Sequence, residues 1–351
     1  MGREPRHSFR TSRVNAQSRF VSTILITACL IGLWGCTGSG SASSSASDRR
    51  TRASLEEVLR ADEATQRAKL LMASGRIREA LNEFERAVEI NPGAVDAYIG
   101  IGNIYKDEGD MPKAERSFRT AAKVGPDVFE AQYAHGLILQ LMHRFQESIR
   151  AYLRALQIDP RDFDANMNLA LAFVQAGQPQ QGLPYAIRAT KLNPQSGPAF
   201  YNLGVVYSAL NRHTDAITSY RRASEYMGTS PQLLMGIADS QSALKQYGEA
   251  ARTLERLIAS EPSADAYHRL GTARFRNREY DAAMKAFRNA IEMDDTHYPA
   301  LNGIAVCLLN QYLWSDKSDT KALDAAVRAM RRSLRIKRDQ PQIIELLTRF
   351  G

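Results

Sequence analysis

Apolar residues recur along this chain with a period of 34 residues. Prolines mark the period, because Pro92, Pro126, Pro160 and Pro194 are each 34 residues apart. Counted from these prolines, units begin near residues 61, 95, 129, 163, 197, 231, 264 and 298. A fixed period of about 20–50 residues is typical of stacked repeat proteins. The pattern therefore predicts one repeat array over residues 54–340, followed by a closing helix over 341–351.

Three positions within each unit carry the pattern. Positions 8 and 20 hold only Ala, Gly or Ser, whereas position 24 is large and apolar in every unit but the fourth, which has Ala186. The large residues at position 24 are Phe84, Phe118, Tyr152, Tyr220, Leu254, Phe287 and Met330. Small residues let two helices approach closely, and a large one fills the remaining space. Each unit is therefore predicted to be a pair of packed helices.

Breaks in the pattern predict where these helices end. Gly75, Gly109 and Gly177 suit the turn between the two helices of a unit, and the proline at position 32 ends the second helix. Ser54, followed three residues later by Glu57, predicts a capping box at the start of the first helix. An insertion at 310–321 lengthens the last unit. We expect its Tyr312 and Trp314 to lie in a loop that either docks a partner or packs onto the eighth unit.

The segment AFYNLGVVYSALNRHTDAITSYRRA, residues 199–223, resembles the consensus of the tetratricopeptide repeat (TPR) family. The resemblance covers the repeats and implies an all-α solenoid, a right-handed superhelix of helix-turn-helix units. It also implies that the first helices line a concave groove that holds a partner protein or peptide. The family's dicarboxylate clamp is matched here by Asn103 alone, so an acidic C-terminal tail is not the expected ligand.

The first 53 residues have a different composition. Residues 1–20 are rich in Arg, residues 21–34 form one apolar run, and Cys36 precedes a Ser- and Gly-rich stretch. This layout resembles a bacterial lipoprotein signal, with 1–35 as the signal peptide, Cys36 as the lipidated residue and 36–53 as a flexible linker. Cys29 is an alternative processing site, and an ordinary signal with a coincidental cysteine is another interpretation. The resemblance implies a membrane-anchored protein of the cell envelope, in the outer membrane facing the periplasm.

The distribution of charge argues against a nucleic-acid partner. The formal net charge of the chain is +8, but residues 61–320 carry −2, and the positive excess lies at the two ends. A nucleic-acid-binding domain needs its basic residues on the folded body. We therefore expect no nucleic-acid binding.

Residues that could carry catalysis or bind a metal do not form a recognised motif. The sequence has no HExxH, no GxxxxGK[ST] and no GxSxG segment. Cys307 falls at a helix position that faces the core, where a thiol is inert. We therefore expect no enzymatic activity, no cofactor, no metal and no small-molecule substrate.

Helical spacing places positions 2, 5, 9 and 12 of each first helix toward the concave groove. In the third, fourth and fifth units, positions 5, 9 and 12 form an apolar and aromatic stripe. With Asn103 of the second unit, the predicted groove residues are Tyr133, Leu137, Gln140, Met167, Leu171, Val174, Tyr201, Val205 and Ser208. An alternative is that these side chains only pack between neighbouring units.

A second candidate surface is basic. The seventh unit carries Arg269, Arg274, Arg276 and Arg278, and further arginines follow near the C-terminus. They could attract an anionic partner, although a solvated helix face is the simpler interpretation.

Taken together, the sequence predicts a non-catalytic TPR scaffold tethered to the cell envelope. Three alternatives stay open, and one is a purely structural role through self-association. The chain could be a substrate-recruiting or assembly subunit of an envelope complex, for the pilus, outer-membrane assembly or a cell-wall enzyme. It could also be a cytoplasmic TPR adaptor held by an uncleaved anchor.

The lipoprotein hypothesis makes a direct prediction about processing. An inhibitor of lipoprotein signal peptidase should leave a larger precursor band on an immunoblot, because cleavage before Cys36 would be blocked. A Cys36→Ala variant should show the same larger band without inhibitor, whereas Cys29→Ala should be processed normally. A wild-type band unaffected by the inhibitor would contradict the hypothesis.

Overall fold

The computed structural model describes residues 44–351, and it describes side chains from residue 54 onward. These residues form a succession of helices. The proposed signal peptide, Cys29 and Cys36 lie outside these residues. The helices are α1 (Ser44–Ala73), α2 (Ile77–Ile90), α3 (Val95–Asp107), α4 (Met111–Val124), α5 (Phe129–Leu141), α6 (Phe145–Ile158), α7 (Phe163–Gln175), α8 (Pro179–Leu192), α9 (Gly197–Ala209), α10 (His213–Met227), α11 (Pro231–Ala243), α12 (Tyr247–Ser260), α13 (Ala264–Arg276), α14 (Tyr280–Met293), α15 (Tyr298–Trp314), α16 (Thr320–Ile336) and α17 (Pro341–Phe350). The predicted all-α solenoid is confirmed.

The odd-numbered helices from α3 to α15 begin the repeating units. They start at the residues where the 34-residue period places the second to eighth units, for example Val95 and Ala264. Each helix from α2 onward packs against the next, and the first helices of neighbouring units also contact one another, as α5 does with α3 and α7. This stacking lets each unit bury the face of its neighbour.

Large side chains at position 24 are wedged between helices of two units. The ring of Tyr220 on α10 lies against Gly204 of its own unit and Gly236 of the next. A Cβ atom on Gly204 would be 2.6 Å from this ring, and one on Gly236 would be 2.8 Å from it. Phe287 lies in the same way between Gly271 and Gly303. Since real Cβ atoms do not come this close, glycine is needed where the ring packs.

The turns within the units share one backbone conformation. Position 15 is left-handed in each of the first seven units, with φ between 58° and 83°. Glycine fills it in three units, and the others place His143, Asn211, Lys245 and Arg278 there. A left-handed residue ends the first helix and reverses the chain. The pattern of glycines alone therefore reveals only some of these turns.

Two segments differ from the sequence-based expectation. Helix α1 begins at Ser44, earlier than the predicted Ser54 cap. The insertion at 310–321 extends α15 and α16 to 17 residues each, so Tyr312 and Trp314 are helical and the loop prediction for them was wrong. The ring of Trp314 packs edge-on against Tyr280 of the seventh unit, with centroids 4.5 Å apart.

Residues 52–351 form one compact unit that contains the buried apolar clusters of the described chain. A fragment of residues 44–351 therefore keeps the complete described core and should fold by itself. Within the described residues, no helix is both long and apolar enough to cross a bilayer.

The glycine contacts predict a specific stability difference. Gly204→Ala should lower the free energy of unfolding of the 44–351 fragment by roughly 1–3 kcal/mol, because its Cβ atom would overlap the Tyr220 ring. Gly248→Ala is the matched control, since its Cβ atom would meet the nearest atom, on Asn277, only at 3.7 Å. The control should match or slightly exceed wild type, because Ala favours helix. Urea unfolding followed by circular dichroism measures the stability of both variants. Equal effects of the two substitutions would contradict the close packing of the Tyr220 ring on Gly204.

Candidate functional site

All the predicted groove residues lie on the first helices of their units. Asn103 is on α3, and the other nine are on α5, α7 and α9. Each of the ten side chains is half-buried, being neither sealed in the core nor fully open to solvent. Tyr133 and Leu137 pack on one buried cluster, and Val174, Tyr201 and Val205 pack on another. The stripe thus combines packing between units with a surface that stays accessible.

Polar contacts connect this stripe from one unit to the next. The Tyr133 hydroxyl accepts a hydrogen bond from Asn168 Nδ2 at 2.8 Å, and its ring stacks on Phe129 with centroids 5.7 Å apart. Gln140 donates to Gln175 Oε1 at 2.7 Å and accepts from the Tyr152 hydroxyl at 2.9 Å. Burial raises the pKa of Tyr133 well above its usual value, so its hydroxyl stays protonated. These bonds hold the side chains of the third and fourth units in fixed orientations.

The stripe continues into the sixth unit. Tyr201 lines a cleft of about 370 Å³ together with Met235 and Asp239 of α11. Met235 and Asp239 occupy positions 5 and 9 of their unit, the same positions that define the predicted groove. At the other end, Asn103 accepts a hydrogen bond from Lys106 Nζ at 3.2 Å. The stripe therefore extends beyond the three units from which it was predicted.

A larger cleft, of about 720 Å³, lies between the last two units and α17, and the sequence analysis missed it. Its walls include His268, Thr272 and Phe275 of α13, and Asn302 and Val306 of α15. These residues hold positions 5, 9 and 12 of the seventh unit and positions 5 and 9 of the eighth. Applying the same positions to every unit would have revealed the cleft. Only the wall contributed by α17 required the structure.

Helix α17 closes one side of this cleft with Ile343 and Leu346. Asn302 Nδ2 donates to Gln340 Oε1 at 2.7 Å, whereas the buried Asn302 Oδ1 atom has no hydrogen-bond partner among the described residues. A buried acceptor without a partner costs about 1–3 kcal/mol.

Two of the four arginines predicted as an anionic-partner surface are paired with carboxylates. Arg269 contacts Asp239 and Asp265, and Arg274 contacts Glu255 and Glu279. Arg276 lines the cleft at α17, and Arg278 occupies a left-handed turn. Carboxylates therefore neutralise two of the four charges.

Three side chains approach the geometry of a metal site. One ligand atom from each of Asp265, His268 and His297 lies within 4.8 Å of the others. Two of the three side chains already have hydrogen-bond partners. Asp265 accepts a hydrogen bond from Arg269 Nε at 2.8 Å, and His297 Nδ1 accepts one from the Ala300 backbone N–H at 3.2 Å. His297 thus caps the N-terminus of α15, whose dipole disfavours a cation.

Cys307 is buried on α15, only 6% exposed. Burial raises the pKa of its thiol to about 11, so the thiolate is scarce at neutral pH. A buried, protonated thiol is a poor nucleophile.

Family models for the tetratricopeptide repeat match residues 71–138, 167–228, 235–298 and 268–341, and a TPR repeat model matches residues 144–177. The chain belongs to the tetratricopeptide repeat family. No curated protein sequence matches it. Since TPR folds are typically interaction scaffolds that lack catalysis, the clefts described above are candidate binding sites for a protein or peptide.

Solved structures of TPR proteins share this fold. A TPR protein from Parabacteroides merdae has 19% identity and a TM-score of 0.56, covering 72% of this chain and 97% of its own. The APC/C hetero-tetramer Cut9–Hcn1 has 18% identity and a TM-score of 0.53, and the match covers 81% of this chain and 54% of the matched chain. PilW, described as a widely conserved type IV pilus biogenesis factor, has 25% identity and a TM-score of 0.51. The match covers 60% of this chain and 97% of PilW.

A buried polar cluster lies between the second and third TPR units. The Glu115 carboxylate is 3.2 Å from Arg144 Nη1 and 3.7 Å from His135 Nε2. Burial lowers the pKa of His135 below its usual value of 6.5, and this outweighs the attraction of Glu115, while Arg119 and Arg154 lower it further. Neutral His135 is therefore the form that the folded protein favours.

This cluster predicts a pH-dependent stability. Because the folded-state pKa of His135 is lowered, the unfolded chain binds the proton more readily, and stability falls as the pH drops below about 6.5. The loss is about 1.4 kcal/mol for each unit by which the pKa is lowered. The urea midpoint of the 44–351 fragment should therefore fall between neutral and mildly acidic pH.

His135→Gln should weaken this dependence without abolishing it, because burial also lowers the pKa of His268. His143→Asn is the control, since His143 is exposed in a left-handed turn that Asn tolerates. The control should follow wild type. A His135→Gln profile as steep as that of wild type would show that His135 is not responsible.

Proposed function

We propose that this TPR protein is a non-catalytic scaffold that holds a partner protein or peptide in its concave groove at the cell envelope. One observation carries the proposal: positions 5, 9 and 12 of successive first helices supply the half-buried stripe and also line the clefts of about 370 and 720 Å³. A continuous, partly apolar surface of this kind is typical of an interaction site. The proposed partner therefore lies along the first helices.

The chemistry of the groove favours an extended or helical peptide with apolar side chains. Met167, Leu171 and Val205 provide apolar contacts along the middle of the stripe. Asn302 and Gln340 supply polar groups to the wall of the C-terminal cleft. Apolar pockets with a few polar groups that fix orientation are the usual design of such sites.

Attachment to the envelope is the second part of the proposal, and it rests on the N-terminal sequence. The Arg-rich start, the short apolar run and Cys36 resemble a lipoprotein signal. Two or more acyl chains on Cys36 would anchor the protein stably, whereas a single chain binds membranes only weakly. We place the protein in the outer membrane, facing the periplasm.

Pilus assembly is the candidate pathway with a specific observation in its favour. PilW, whose structure is described as that of a type IV pilus biogenesis factor, is 25% identical to this chain. The match covers 97% of PilW and 60% of this chain. We therefore propose a pilus component as the first partner to examine, ahead of outer-membrane assembly factors and cell-wall enzymes.

The groove predicts which substitutions abolish partner capture. The double variant Met167→Gln/Val205→Thr keeps side-chain size but removes apolar surface from the stripe, so it should lose a crosslinked envelope partner that wild type retains. Met293→Gln is the matched control, because Met293 is 49% exposed at the end of a second helix, α14. Crosslinking pull-down from membranes, followed by mass spectrometry, measures capture.

Circular dichroism melting first establishes that each variant is folded. Unchanged capture by the folded double variant would mean that the stripe serves only to pack the units. The identity of the captured protein then decides between pilus assembly and the other envelope pathways.

A further inference from the structure

The last second helix of the array, α16, carries the largest positive charge among the second helices that the structure describes. It has Lys321 and four arginines but only one acidic residue, Asp324. The next most positive, α4, has four basic residues and one acidic residue, and α10, α12 and α14 each have two of either sign. Positive side chains crowded on a single helix repel one another unless anions are nearby.

The arginines of α16 lie on one face. Arg328, Arg331 and Arg335 are three or four residues apart, which places them within about 60° of one another around the helix and along about 10 Å of its length. Arg332 borders this face, and Arg338 follows just after the helix. Together with Leu334 these five arginines line an open cleft of about 680 Å³.

Most of these arginines lack a counter-charge. Arg332 contacts Asp295, with Nη2 3.6 Å from the carboxylate and 2.7 Å from the backbone carbonyl. Within residues 54–351, no carboxylate lies within ion-pair distance of Arg328, Arg331, Arg335 or Arg338, and all four are exposed. Arginines in the seventh unit, such as Arg269 and Arg274, are paired instead. The row on α16 therefore differs from these two arginines in keeping its charge unpaired.

We propose that this row of arginines binds the headgroups of anionic phospholipids. Guanidinium groups form paired hydrogen bonds with phosphate oxygens, and basic residues near an anionic membrane each add about 1 kcal/mol of attraction. The row lies on a second helix, whereas the proposed groove is built from first helices, so the proposal goes beyond the groove function and does not depend on it.

Two features favour a membrane over a single phosphate or an acidic peptide. Several guanidinium groups lie side by side, which suits a surface carrying many phosphates. Leu334 lines the cleft with the arginines, and Ile336, directly after Arg335, is 40% exposed, so apolar side chains accompany the charges. Basic and apolar residues together are typical of segments that lie on a membrane surface.

Vesicle co-sedimentation of the 44–351 fragment tests the proposal. This fragment lacks Cys36 and the apolar run of 21–34, so neither a lipid anchor nor the signal segment contributes. We expect binding to vesicles containing phosphatidylglycerol, no binding to pure phosphatidylcholine, and loss of binding at high salt. Arg331→Gln/Arg335→Gln should weaken binding roughly 30-fold.

The matched control is Arg221→Gln/Arg256→Gln, which removes the same charge from exposed arginines of α10 and α12. It should bind like wild type. Three results would overturn the proposal: no binding of wild type to anionic vesicles, equal weakening by the control, or displacement from vesicles by inorganic phosphate or poly-glutamate at equal charge concentration. The last result would identify a free anion or an acidic protein as the ligand.

Discussion

The wedge of a large side chain between small residues of two units is the contact on which the array depends. The Tyr220 ring touches Gly204 within its own unit and Gly236 in the next, so one side chain sets the separation of three helices. Phe287 repeats the arrangement with Gly271 and Gly303. Because interiors are packed as densely as crystals, the ring and the missing Cβ atoms must match in volume. The same match, repeated along the chain, makes the stacking regular.

Regular stacking brings the first helices of neighbouring units side by side, and this creates the candidate groove. Residues about one period apart then meet, as in the hydrogen bonds from Asn168 to Tyr133 and from Gln140 to Gln175. The groove side chains are half-buried because they serve both purposes, packing at their bases and facing solvent at their tips. At the C-terminal end no further unit follows in the described chain, and α17 closes the last cleft instead.

Charge is organised differently in the body and at the end of the array. Arg269 and Arg274 are neutralised by carboxylates of their own unit and of the preceding one. Along α16 the exposed arginines keep their charge, because that helix and the described elements around it offer them few carboxylates. The proposed groove and the proposed lipid-contacting row thus use different helices of the same units, and one can act without the other.

The sequence by itself determined the repeat, the helix pairs and the residues at their interfaces. A period of 34 residues locates the starts of the odd-numbered helices α3 to α15. The period is visible because the side-chain volumes at positions 8, 20 and 24 follow directly from the residue types. It also predicted that positions 5, 9 and 12 face a groove, and residues at these positions line the two clefts.

Only the tertiary structure decided which of these side chains meet across units. The pairing of Arg269 with Asp239, the wall that α17 adds to the C-terminal cleft and the contact of Trp314 with Tyr280 all join residues about 30 or more positions apart. Such contacts depend on the angle and offset between successive units. Many helices together set that angle and offset, and no single segment of sequence specifies them.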